Sequence, residues 1–271
     1  MGASTSRALP SLALVMVLLS APGALGAARD ELPAGLVEAL HGPDLNRALT
    51  AAEQLGLIDT PPARAALVRV LGLGAPPPLL LAAITALGQH GDLEAVPILR
   101  HYASYRSVPV RVAALTALGR SGGPEAEATI LAALSDGDAP VRQAAAELAA
   151  QAGLPAAEGT LLLLVQRGDV AVVAPLGRVG GARTVDALTT NGRARGDAKV
   201  TPATRAWILG ALLLREDFGP DPLRVRVVEA LGALRTPEAT AALVRYLAAV
   251  PVEQQRPSRA AAEAALKGQR R

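Results

Sequence analysis

The chain has 271 residues, is 51% hydrophobic but only 2% aromatic, and carries a formal net charge of +3. Such a composition excludes a large aromatic core, and a core of Ala, Leu and Val suits thin helices packed at close range. The 25 Arg residues against 2 Lys explain a pI near 9.8 without a strong positive field, and they are spread along the chain. A nucleic-acid binder concentrates its basic residues in a stripe or face, so nucleic acid is excluded as a partner.

Residues 1–26 read as a secretory signal peptide. Arg7 precedes a short apolar run, Leu12–Leu19, and Ala24-Leu25-Gly26 places small residues at the cleavage positions. The run is too short to span a bilayer, so cleavage and a periplasmic or extracellular address are expected, with a retained membrane anchor as the alternative. The chain has no Cys, which removes disulfides, thiolate catalysis and thiolate metal sites.

From residue 33 onward the pattern is of paired helices, near 33–57, 61–90, 93–121, 124–152, 156–180, 182–235 and 237–269. A phrase recurs within it. Pro78-Leu79-Leu80 runs on to Ala86-Leu87-Gly88, Pro109-Val110-Arg111 to Ala117-Leu118-Gly119, and Pro140-Val141-Arg142 to Leu148-Ala149-Ala150. It returns at Pro222-Leu223-Arg224 and as a remnant at Pro257-Ser258-Arg259. Repeats of this length signal a stacked solenoid. Pro suits a first helical turn, Asp138 and Asp221 read as N-caps, and Gly91, Gly122 and Gly153 read as helix ends. Val110, Ala113, Ala114, Ala117 and Leu118 form one apolar stripe at helical spacing. Helices of this length are marginal alone and become stable by stacking on their neighbours. Pro175 predicts a short, kinked unit at 156–180. The polar stretch Asn191–Thr201 is an insertion, and the helix around Trp207 is either an added element or the first helix of a unit continued at Pro222.

Asp138-Ala139-Pro140-Val141-Arg142-x-Ala144-Ala145-Ala146 and Gly91-Asp92-x-Glu94-Ala95-Val96-Pro97-x-Leu99 resemble HEAT repeats, in particular the short bilin-lyase-like (PBS lyase) subtype. Leu80 departs from the pattern where Arg is usual, and so does Lys267 where Gly is usual. The resemblance implies an all-α solenoid of about seven helix pairs.

Arg111, Arg142, Arg224 and Arg259 share one register position. Their recurrence favours a structural ladder, tied to nearby carboxylates or carbonyls, over a row of ligand contacts. His41, His90 and His101 lie in different units and offer no convergent metal site; each is expected as a partly exposed side chain near a helix end. No phosphate loop or nucleophile elbow appears. No cofactor and no enzymatic activity are therefore expected.

The informative positions break the rhythm. Leu81 and Val112 follow the ladder position with apolar side chains and, with Ile84, are expected on the inner surface of the solenoid. Tyr102, Tyr105 and Arg106 have the composition of an interface. Arg193 and Arg195 lie in the insertion, where long loops are often functional. The sequence thus predicts a non-enzymatic, exported scaffold that binds an unidentified protein partner on its concave face. The alternative is a tetrapyrrole-handling or cofactor-assembly protein, which the resemblance implies.

Overall fold

The computed structural model describes residues 32–33, 35–189 and 200–269. The predicted signal segment and most of the insertion, including Arg193 and Arg195, lie outside them. The described residues form fifteen α-helices joined by short turns and single 3-10 turns. In chain order these are α1 (Leu36–His41), α2 (Leu45–Leu57), α3 (Pro61–Leu73), α4 (Pro77–His90), α5 (Val96–Ala103), α6 (Val108–Ser121) and α7 (Pro124–Ala133). Then come α8 (Ala139–Gln151), α9 (Glu158–Gln166), α10 (Val173–Val179), α11 (Ala182–Thr189) and α12 (Pro202–Leu214). The last three are α13 (Asp221–Leu234), α14 (Pro237–Ala249) and α15 (Pro257–Gln269).

The helices stack in two layers. The even-numbered ones, α2 to α14, pack each on the next, and the odd-numbered ones form the second layer. The core runs between the layers as a continuous ribbon of Ala, Leu and Val. From α2 to α8 the even layer is the more closely packed one. Its spacing depends on residues without a side chain. A Cβ built on Gly56 would come within 2.9 Å of Ala86, and one on Gly88 within 2.6 Å of the Ala117 Cβ.

Local chemistry sets the helix boundaries. Pro occupies the first turn of most of these helices, as its missing N–H allows. Gly91 and Gly153 take left-handed conformations (φ 63° each) at or just beyond helix ends, and Gly122 (φ 69°) follows α6. Pro175 does not kink a long helix: it lies in the first turn of the short α10, after a turn at Val170–Val172 has already separated it from α9.

The expected caps at Asp138 and Asp221 are not formed. Asp138 precedes α8 without a side-chain capping bond, and Asp221 is the first residue of α13. Both carboxylates reach another repeat instead. Asp138 accepts from Arg111 at 2.5 Å, and Asp221 accepts from the Ser258 backbone N–H at 3.0 Å and its hydroxyl at 2.5 Å.

The repeat phrase changes layer. In α4, α6 and α8 it lies in the even layer, whereas in α13 and α15 it lies in the odd one. The cause is α12, which stacks between α10 and α14 as a regular member of the even layer. It is therefore the second helix of the sixth pair, α13 and α14 make the seventh, and α15 closes the odd layer alone. Polar ties hold this junction. Glu158 accepts from the Gly181 and Thr184 backbone N–H groups and the Thr184 hydroxyl at 2.7–2.9 Å, which fixes the start of α11. Arg215 donates to the Gly180 carbonyl at 2.8 Å and to Asp217 at 2.7 Å. The hydrogen bond from Arg215 holds the Asp217 carboxyl below its usual pKa in spite of some desolvation.

Candidate functional site: the open face of the even layer

The ladder arginines are structural. Each sits in the first turn of its helix and donates back to the carbonyls that end the preceding helix or loop, groups with no partner inside a helix. Arg111 donates to Tyr105 O at 2.9 Å and Arg142 to Asp136 O at 2.9 Å. Arg224 donates to Leu213 O and Arg215 O at 2.9 Å each, and Arg259 to Leu247 O at 2.7 Å and to Val250 O. The first two also bridge forward. Arg111 meets Asp136 at 3.0 Å and Asp138 at 2.5 Å, and Arg142 meets Asp169 at 3.3 Å. Burial opposes the Arg111 charge, but its hydrogen bonds to Asp136 and Asp138 outweigh that and raise its pKa above the usual arginine value.

The predicted surface residues divide. Leu81 is exposed on the open face of α4, and Val112 is half-buried at the matching position of the stacked helix α6. Ile84 and its neighbour Leu80 are buried and belong to the core. An even-layer helix is covered on both flanks as well as beneath, so its buried arc is wider than one stripe. Tyr102 is also buried, and its hydroxyl donates to the Leu71 carbonyl at the end of α3, 2.7 Å away. Burial first, then the nearby Tyr105, pushes its pKa above the ordinary tyrosine value. Tyr105 is half-buried against it, with the Arg106 guanidinium 5.7 Å from the Tyr105 ring centre. The trio is a packed junction between repeats more than an exposed patch.

His90 departs from expectation too. Its side chain is buried and faces Asp59 at 3.6 Å, while Asp59 pairs with Arg64 at 2.7 Å. His41 and His101 are exposed. Among the described residues no group of three or more His, Asp or Glu converges as a metal site would require.

The clearest open feature was not singled out from the sequence as a binding residue. Trp207, the only Trp of the chain, is 46% exposed on α12. It borders a groove of about 440 Å³ between α12 and α14, with Gly210, Ala211 and Leu214 on one wall and Pro237, Ala241 and Arg245 on the other. The lone Trp in a chain built on Ala and Leu was the available signal.

Comparison with known proteins supports this architecture. Residues 104–176 match the model for HEAT repeats, and residues 79–104 and 223–249 match that for the PBS lyase HEAT-like repeat. The chain carries HEAT repeats. The second of the PBS matches covers α13 and α14, so the HEAT phrase is recognisable on either side of the change of layer. A search of curated proteins gives no match. Among solved structures the chain is similar to the complex of CpcE and CpcF of phycocyanin lyase from Nostoc sp., at 20% identity and a TM-score of 0.46, over 88% of this chain and 98% of that one. It is also similar to human deoxyhypusine hydroxylase (23%, TM-score 0.32, 91% and 88%) and to a designed armadillo repeat protein (17%, TM-score 0.36, 86% and 98%).

Proposed function

We propose that this HEAT-repeat chain is a non-enzymatic, exported scaffold that holds a protein partner on the open face of its even layer. The observation that carries the reading is Trp207, half-exposed on the same layer that presents Leu81 and Val112. The edge of the Trp207 ring packs against Gly177 of α10, yet nearly half of the residue stays in water, and aromatic side chains are enriched at the centres of protein interfaces. Export rests on Arg7, the Leu12–Leu19 run and Ala24-Leu25-Gly26.

Crosslinking and pull-down from the native envelope test the scaffold, comparing wild type with Leu81→Asp/Val112→Asp and with Trp207→Asp. Loss of a specific partner from well-folded variants is expected. Unchanged recovery from both would overturn the reading. Mass spectrometry of the mature protein should find its start at or beside Ala27, and an intact Met1 would remove the cleavage claim. The tetrapyrrole reading has the repeat subtype in its favour, and a visible absorption band in protein purified from its source would replace the scaffold reading.

A further inference from the structure

The geometry points to a specific occupant for the groove between α12 and α14: one amphipathic helix of the partner, laid antiparallel to both. The inference rests on the scaffold reading and names the chemistry of the partner at this site.

The shape of the groove comes first. Trp207, Ala211 and Leu214 line one wall at i, i+4 and i+7, and Pro237, Ala241 and Arg245 line the other at i, i+4 and i+8. The groove therefore runs along the helix axes for two turns, about 10 Å at 1.5 Å per residue. Small residues, Gly210, Ala211, Ala241 and Ala242, make up much of the lining and let another backbone approach closely. A helix with apolar side chains at i, i+3 or i+4, and i+7 fits a groove of this direction and length. The protein already packs a helix this way. Helix α13 lies between α12 and α14 in sequence and contacts both from the odd layer. A partner helix would take the corresponding position on the opposite side of the same pair.

Charge fixes the direction. Glu238 lies in the first turn of α14 and Arg245 two turns later; both are exposed, and neither makes an ion pair with another described residue. Their separation of seven residues places them on one face at opposite ends of the groove. A helix with acidic residues in its first turn and basic residues in its last has the arrangement that its own dipole favours. Laid antiparallel to α14, it brings its acidic end to Arg245 and its basic end to Glu238.

Trp207 reports occupancy directly, since the chain has no other Trp. The probe is a synthetic helical peptide of about 16 residues, long enough to cover the two turns with ends to spare. It carries a Leu stripe at i, i+3, i+4 and i+7, Glu in the first turn and Lys in the last, and is titrated into the full chain. A saturable blue shift of Trp207 emission is expected. Ala241→Arg should weaken binding more than about tenfold by filling the groove, and Glu238→Lys/Arg245→Glu about fivefold, as expected for two exposed pairs, both with unchanged melting curves. No shift with wild type, or equal binding by Ala241→Arg, overturns the proposal. A blue shift that grows with protein concentration alone assigns the groove to a second copy and overturns it as well. If Leu81→Asp/Val112→Asp reduces partner recovery while the peptide leaves Trp207 unchanged, the helix proposal falls and the scaffold reading stands.

Discussion

Gly88 lies directly against Ala117: a Cβ added to Gly88 would come within 2.6 Å of the Ala117 Cβ and 2.9 Å of its Cα. The contact joins α4 to α6 at the position where the repeat phrase ends in Ala-Leu-Gly. The glycine of that phrase is thus a spacer between repeats as well as a residue near a helix end. Gly88→Ala should destabilise by about 1–3 kcal/mol, the usual cost of overpacking a closed contact, because backbone must move. Gly72→Ala in α3, with nothing within 4 Å, should instead stabilise by roughly 0.5–1 kcal/mol. Thermal unfolding of the two variants checks both signs, and equal effects would show that close approach is not what selects glycine.

Arg111→Ala should be costly. It strands the carbonyls of Tyr105 and Arg106 and leaves the Asp136 carboxylate without its cationic partner, held only by the Asp138 backbone N–H. Removing one side of such a buried, charge-assisted set costs about 2–4 kcal/mol. The exposed Arg120 on the same helix should change stability by less than about 0.5 kcal/mol when replaced by Ala. Urea unfolding of the two variants measures the difference.

The Tyr102 hydroxyl predicts an alkaline limit. Its pKa is raised in the folded state, so the protonated phenol is favoured by folding. That contribution is complete below the ordinary tyrosine value near 10 and is lost as pH rises through the higher folded value. Tyr102→Phe should cost about 1 kcal/mol at pH 8 through the lost bond to Leu71. The gap between variant and wild type should narrow above pH 10 on the ordinary tyrosine scale. Denaturant titrations at pH 8, 10 and 11 would show it, and a constant gap would contradict the burial argument.

The change of layer can be tested with engineered disulfides, since the chain has no Cys of its own. Gly232→Cys/Ala265→Cys should close α13 onto α15, and Gly210→Cys/Ala242→Cys should close α12 onto α14. The built Cβ atoms lie 3.0 Å and 2.7 Å from their partners, near enough to reach disulfide spacing with a small outward shift. Mass spectrometry of intramolecular bridges in both variants would establish that both layers stack tightly here. Failure of the first would place α13 and α15 apart.

Much of the fold was readable because the repeat phrase is local. Pro at a helix start, Arg two residues later and Gly near the end each act within one helix and its adjoining turn. Which layer a helix joins is not local. It depends on how many helices precede it, and that number turned on α11 and α12, where the phrase is faint. Ile84 was misplaced because a helical stripe shows a direction but not the width of the buried arc. Tyr102 was misplaced because its partner, the Leu71 carbonyl, lies 31 residues away. Trp207 became a site residue only once α12 and α14 were seen to be neighbours.

The central claim, that the open face of the even layer receives a partner, is tested most directly by site-specific photocrosslinking in the native envelope. A photoreactive residue replaces Thr116 on α6, Ala211 on α12 or, as a control, Ala128 on α7 in the opposite layer. The account predicts one defined protein adduct from positions 116 and 211 and none from 128. An adduct formed only from 128, or equally from all three, would contradict it.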